Sequence, residues 1–322
     1  RVFEKSLRIE RWGENLDAER MILETIRSPE PHLLLAYELS RSKHYESINQ
    51  LDLAATAVHR AIHLAEELDD GNALITCYQV FGTHLWIQSR MVKARQAYER
   101  MMHYARLSDD RAAEGRSLVS QAAVGMFTGA PADEIMGQLQ HGLAIAGAFG
   151  DKFELANIYE KFAYARIETA VGQWTETEQE LRQALRYARE CGDLREETLV
   201  LDTLGRFYIK IGDYRSAEQT LAASEEIERE QQHYWWRNWV TAHYVGAMKM
   251  EMGDLDSALP ILAEASEQLG RVGHLVYEVR ARCDLGFVHH LGGDDRQALS
   301  LLNDALAMME RLGELRFEAL VN

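Results

Sequence analysis

Apolar residues recur along this chain at helical spacing, in runs that stop at nearly equal intervals. In the clearest stretch Leu199, Leu201, Leu204, Phe207, Tyr208 and Ile211 follow the three-and-four spacing of one helix face rather than the alternation of a strand. Gly212 then supplies a left-handed stop, and Asp213 is placed to accept the free N–H groups of a second helix. That helix carries Tyr214, Ala217, Leu221 and Ile227 on one stripe. Two helices joined by so short a turn are antiparallel neighbours.

The same punctuation returns throughout. Asp69-Asp70, Asp109-Asp110, Gly150-Asp151, Gly192-Asp193, Gln232-His233, Gly273-His274 and Gly313-Glu314 are spaced 40, 41, 42, 40, 41 and 40 residues apart. A second series, Ser89, Gly129, Gly172, Gly212, Gly253 and Gly293, runs midway between them. One two-helix unit is therefore copied along the chain. The expected units are residues 1–30 (partial), 31–70, 71–110, 111–151, 152–193, 194–233, 234–274 and 275–314, with 315–322 opening a further helix. They form a single array, 1–322, in which each unit packs on its neighbours. Small residues sit at one register, with Gly82, Ala122, Ala165, Gly205, Gly246 and Gly286 each twelve residues before Ala94, Glu134, Thr177, Ala217, Ala258 and Ala298. A helical glycine costs about 1 kcal/mol against alanine, so its recurrence predicts close approach of the partner helix. Capping boxes are expected at Thr175 with Glu178 and at Asp294 with Gln297, and Pro260 is expected to kink its helix near the start.

Leu201, Leu204, Gly205, Tyr208, Gly212, Asp213, Tyr214 and Ala217 resemble the tetratricopeptide-repeat signature at its own spacing. Val245, Gly246, Gly253, Asp254, Leu255 and Ala258 repeat it, as do Leu285, Gly286, Gly293, Asp294 and Ala298. Two departures stand out: the period is about 40 rather than 34 residues, and Gly-Asp or Asp-Asp replaces the family's closing proline. The resemblance implies an all-α fold, a right-handed superhelical solenoid of antiparallel helix pairs. The longer repeat is similar to the sensor arms of bacterial STAND-type signalling ATPases and of transcription regulators related to the maltose activator. That similarity implies a nucleotide-binding switch N-terminal to the array, although no GxxxxGK[ST] run occurs in this sequence. The chain opens on Arg1 without Met and stops just after a new helical run, Leu315 to Leu320, so it reads as a piece of a longer protein.

Composition narrows the partners. The formal charge is −16 and no basic run is present, which argues against a nucleic-acid backbone as partner. Cys77, Cys191 and Cys283 are odd in number and widely spaced, as free thiols of a reducing, cytoplasmic compartment would be. No run of 18 apolar residues and no signal-peptide pattern occurs, so no membrane partner is expected.

Candidate chemistry is sparse. His59 and His63 stand four apart with Glu66 and Glu67 beyond them, but no third ligand is in register; His289 and His290, being adjacent, point about 100° apart. The acidic run Glu225, Glu226, Glu228 and Glu230 reads as a solvated outer face. No nucleophile–base arrangement is present, so the chain is expected to be no enzyme and to hold no cofactor or metal. In the segment Tyr234 to Trp239, Trp239 is expected to pack between repeats, with Trp235 and Trp236 open between core and partner surface.

In tetratricopeptide arrays the first helix of each pair lines the concave side. Carried onto this sequence, the resemblance assigns partner binding to Gln79, Trp86, Phe127, Phe162, Arg166, Asp202, Arg206, Lys210, His243, Phe287 and His290. The N-terminal half of this face is apolar and aromatic, and the C-terminal half carries both signs of charge. Such a face suits a protein or peptide segment, an adjacent domain of the same full-length chain, or a small effector. Arg206, Lys210 and His243 would orient an acidic element, with apolar anchors near Trp86 and Phe127. The expected function is a protein-interaction and effector-sensing arm of a bacterial signalling ATPase or transcription regulator; a free-standing scaffold or a self-assembly module are the alternatives.

Overall fold

The computed structural model describes residues 30–48, 50–169, 174–231 and 237–312. Fourteen α-helices and no strand occur among them: α1 Pro31–Ser47, α2 Leu51–Glu67, α3 Gly71–Ile87, α4 Met91–Leu107, α5 Arg111–Thr128, α6 Ala132–Phe149, α7 Lys152–Thr169, α8 Trp174–Cys191, α9 Leu194–Lys210, α10 Tyr214–Gln231, α11 Arg237–Glu251, α12 Leu255–Val272, α13 Leu275–Leu291 and α14 Asp295–Leu312. The architecture is all-α, built from helix pairs. Gly172, Gln232, His233, Trp235, Trp236 and Gly313 onward, and the partial first unit up to residue 29, lie outside the described residues.

Both turn series adopt the conformation that their glycines foretell. Gly129, Gly150, Gly192, Gly212, Gly253, Gly273 and Gly293 all have φ between 65° and 85°, where L-residues pay a steric cost. Asp69, Ser89 and Asp109 occupy the same left-handed position without being glycine, at φ 52°, 57° and 53°. After seven of these ten positions the next residue, an aspartate, caps the following helix. Asp70, Asp110, Asp151, Asp193, Asp213, Asp254 and Asp294 each accept a bond at Oδ1 from the backbone N–H three residues on, at 2.9 to 3.3 Å. The expected cap at Thr175 does not form, because α8 already begins at Trp174 and Thr175 lies inside it. Glu178 is turned instead to Arg182 and the Tyr208 hydroxyl. Pro260 is the sixth residue of α12, which runs unbroken to Val272.

The small-residue register is explained by one contact. A Cβ built on Gly82 would stand 2.4 Å from the Tyr98 ring, on Gly205 2.6 Å from Leu221, on Gly246 2.6 Å from Leu262 and on Gly286 3.1 Å from Leu302. In every case the obstructing side chain lies sixteen residues on, one helical turn past the alanine that the sequence singles out. The unit of Ala122 differs. Two residues, Ala130 and Pro131, separate the left-handed Gly129 from α6, where the turns at Ser89, Gly212, Gly253 and Gly293 have one, so Glu134 is exposed and Ile135 and Leu139 point inward instead.

Packing divides the chain into two compact units, one formed by residues up to Ile87 with Val92–Ser117, the other by Gln88–Met91 with residues from Leu118 onward. In the first, α1 to α3 bury Leu35, Ala61, Ala65, Leu74 and Cys77, and the Tyr78 and Tyr104 rings stack at 5.8 Å. In the second, each first helix touches the next: α7 packs on α9, α9 on α11 and α11 on α13. Trp239 is half-buried against the cluster of Leu221, Val240, Tyr244 and Leu269. The cysteines are free thiols, and burial pushes Cys77 up to about 12 and Cys283 up to about 11, which makes both poor nucleophiles. No helix among the described residues is long and apolar enough to cross a membrane.

Candidate partner-binding face

Helical periodicity determines which side chains leave the first-helix rows. In α7, Tyr164 and Glu168 are four apart and share a face; in α9, Asp202 and Arg206 do the same. These rows meet a residue from far along the chain. Arg280, on α13, donates from Nη1 to the Tyr164 hydroxyl at 2.8 Å and from Nη2 to Glu168 Oε1 at 2.9 Å. Arg206 donates from Nη1 to the same Glu168 oxygen. The Arg206 guanidinium also lies over the Tyr164 ring at 5.1 Å, and Arg280 lies 5.9 Å from the Phe127 ring of α5.

Two guanidiniums thus converge on one carboxylate oxygen in a poorly hydrated place. Side-chain exposure is 6% for Arg280, 18% for Arg206 and 12% for Glu168. Burial alone would push the Glu168 carboxyl up, but Arg280 and Arg206 outweigh it and hold it at about 2. Burial would likewise lower the Arg206 guanidinium, and the Glu168 carboxylate reverses the shift. Tyr164 and Tyr244 are raised, first by desolvation. The cluster is fully ionised across the physiological range, with neutral phenols around it.

A second charged cluster lies two turns earlier on α7. Glu160 accepts from Thr203 Oγ1 at 2.6 Å and contacts Lys161 Nζ, while Glu196 stands buried at the start of α9. Burial pushes the Glu196 carboxyl up to about 7 despite the pull of Lys161, and the Glu160 charge adds to the rise. Further along, His243 Nε2 pairs with Asp284 Oδ2 at 2.7 Å, linking α11 to α13.

The residues assigned from sequence separate into three groups. Phe127, Phe162, Asp202 and His243 are buried in helix packing, with Asp202 Oδ1 accepting from Ser224 and Thr241 at 2.9 and 2.8 Å and so tying α9 to α10 and α11. Arg206 joins the central cluster, and Arg166 reaches back to Glu180 on α8 at 3.2 Å. Gln79 and Trp86 are half-buried on α3 in the other unit, whereas Lys210, Phe287 and His290 are exposed, His290 pairing with Asp295 at 2.6 Å. Arg280, Glu168 and Tyr164 were not assigned from the sequence. Arg280 stands there between Val279 and Ala281 with no local mark of its distant partners.

One acidic residue also departs from expectation. Glu228 is buried with its Oε1 3.2 Å from the Thr241 hydroxyl, which it shares with the closer Asp202, because it lies four residues past Ser224 and seven past Leu221 on the inward stripe of α10. Glu225 and Glu226 are exposed. His63 faces Glu67 at 3.8 Å and His59 packs on Phe81, and no group of three or more His, Cys, Asp or Glu is placed to hold a metal ion among the described residues.

Comparison with known proteins agrees with the helix-pair geometry. Residues 240–311 match the tetratricopeptide-repeat family model, which covers α11 from Val240 through most of α14. A search of curated proteins finds no match. Among solved structures, a Rap protein complexed with competence and sporulation factor aligns with TM-score 0.66 and 14% identity, over 97% of this chain and 99% of that one. The apo form of RapI aligns with TM-score 0.59 and 12% identity, over 87% and 98%. A STAND protein with a tetratricopeptide-repeat sensor from Pyrococcus horikoshii aligns with TM-score 0.47 and 13% identity, over 96% and 54%. The two Rap likenesses, at these identities, show a shared helical-repeat fold.

Proposed function

We propose that this chain is a non-catalytic protein-interaction module that takes a peptide or protein segment on the face built by its first helices. The observation that carries the reading is that the half-buried Arg206 and Glu168 bring to that face the edge of a charged centre whose buried members, Phe127, Tyr164 and Arg280, come from the same row of helices. Charged forks beside aromatic rings are the residue types on which peptide recognition concentrates, since they offer large contact area and oriented donors at low entropic cost. The Rap structure of the same fold is complexed with competence and sporulation factor, which supports a bound factor for this fold. The finer reading, a sensor arm attached to a bacterial signalling ATPase or transcription regulator in the cytoplasm, rests on the repeat resemblance, and finding a phosphate-binding loop domain in the same full-length chain is its test.

The binding reading is tested with a library of hexapeptides bearing free C-termini, presented to the protein, to Arg206→Glu with Lys210→Glu, and to an outer-face control, Glu225→Lys with Glu226→Lys. Selected peptides are expected to lose affinity for the first variant and to keep it for the control. The opposite pattern would move the site to the outer helices.

A further inference from the structure

We propose that the groove where α8 meets α9, floored by Leu185 and Leu204 and rimmed by Arg182, Arg186 and Arg189, binds a small phosphate ester with a flat apolar body, such as a nucleoside diphosphate. The site is separate from the partner-binding reading above, because its cations all stand on α8, a second helix of its pair.

Arg182, Leu185, Arg186 and Arg189 follow one another at three or fewer places within two turns and share one face of α8, which sets successive arginines about 6 and 4.5 Å apart along the axis. That face opens on a groove of about 440 Å³, a size usual for small-molecule sites, and the buried Leu204 of α9 closes its floor. The outer two guanidiniums are held from the flanks. Arg182 donates from Nε and Nη2 to Glu178 Oε1 at 3.0 and 2.8 Å and from Nη2 to the buried Tyr208 hydroxyl at 3.0 Å, which leaves Nη1 to a ligand. Arg189 donates from Nε to Glu197 Oε1 at 2.7 Å and keeps both Nη groups. Arg186, between them, bonds only the Gln183 side chain and stands in no ion pair among the described residues. Glu190, the acid on the lining, is taken up by Lys152 of α7 at 2.9 Å.

Two positioned forks and an uncommitted one between them suit an anion with many acceptors. A phosphoryl group offers three oxygens and more than one charge, whereas a carboxylate's two oxygens are satisfied by a single fork. A diphosphate carries the same chemistry further along the row. Leu185, Leu204 and the alkyl stems of the arginines add apolar contact, and guanidinium planes stack on flat rings. Size is limited by the surroundings. The chain carries −16 overall, and a nucleic acid or anionic membrane laid along α8 runs off the three arginines onto Glu176, Glu178, Glu190 and Glu197. A compact anion avoids that repulsion.

The probes are ADP, pyrophosphate, adenosine, hexa-aspartate and a short oligothymidylate, each titrated calorimetrically into the whole chain at physiological salt without magnesium. ADP is expected to bind one to one and about tenfold tighter than pyrophosphate, with adenosine, hexa-aspartate and oligothymidylate weaker still. Arg186→Gln is expected to weaken ADP about tenfold at unchanged melting temperature, and Arg186→Lys to recover part of the loss, since an ammonium lacks the planar fork. Arg229→Gln, on the exposed side of α10, is expected to bind as wild type does. Should Arg186→Gln fail to fold, Arg189→Gln is read in its place. Absence of saturable ADP binding, equal affinity in the folded Arg186→Gln variant, or an equal loss in Arg229→Gln would overturn the site. Pyrophosphate as tight as ADP would overturn the apolar floor's part in it, and hexa-aspartate or oligothymidylate as tight as ADP would replace it by a patch for acidic proteins or nucleic acid. The peptide reading, tested at Arg206 and Lys210 on α9, stands or falls apart from these results.

Discussion

Arg280 and Glu168 lie 112 residues apart in the sequence and 2.9 Å apart in the fold. Because Arg280 also donates to Tyr164, one side chain of α13 grips two successive turns of α7. Arg280→Ala is expected to destabilise the second unit by about 3 kcal/mol, since it strips a partner from buried polar groups. Arg280→Lys should recover only part of that loss, because a single ammonium cannot reproduce the fork that reaches both Tyr164 and Glu168. Thermal melting followed by circular dichroism at low and high salt is the check. A loss that vanishes at high salt would place the pair at the surface.

The glycine register makes an ordered prediction. Replacement by alanine should cost most at Gly82, where a Cβ meets the Tyr98 ring, about 1–3 kcal/mol at Gly205 and Gly246, and least at Gly286, where the nearest atom is 3.1 Å away. Gly205→Ala combined with Leu221→Ala should cost less than the sum of the two changes, because the added methyl enters the space the leucine leaves. Additive losses in melting experiments would show that the two positions do not meet.

At the helix ends the sign reverses. Asp69 and Asp109 hold left-handed backbone at φ 52° and 53° with a side chain attached, so Asp69→Gly and Asp109→Gly should raise the stability read from thermal melting, by about 0.5–1 kcal/mol each after the extra unfolded-chain entropy is set against relief of strain. Gly212→Ala, at φ 78°, should lower it by about 1–2 kcal/mol.

Glu196 predicts a pH dependence. Its carboxyl is raised from 4.5 to about 7 in the fold, so the native state holds a proton that the unfolded chain has released. Stability from this group is present below 4.5 and is lost as pH rises toward 7. Glu196→Gln, which mimics the protonated form, should melt above wild type at pH 8 and converge on it by pH 5. A constant difference across that range would mean that Glu196 titrates normally.

How far the sequence could be read follows from which constraints are local. Turn positions, helix pairing and caps depend on residues a few places apart, so Gly212 with Asp213, or Asp294 with Gln297, announce themselves without any partner being known. Where one inserted residue changed a turn, at Pro131, the inferred register at Glu134 slipped, because the spacing rule holds no record of which way a side chain then points. The assignment of the first-helix face depended on analogy, and it returned a mixture. Arg206 belongs to the charged centre, whereas Asp202 and His243 are consumed in tying one helix to the next.

By itself, then, the sequence determined an array of helix pairs, the place of each turn and the glycines at close crossings, since helical periodicity and left-handed stops are written within a few dozen residues. Only the tertiary structure decided that Glu168 would face Arg206 and Arg280 together, and that Glu228 would turn inward beside Thr241. Those contacts depend on how successive helices rotate and stack, a quantity that accumulates small packing choices over many side chains. No local pattern encodes the sum, so a partner more than a hundred residues away is invisible until the helices are in place.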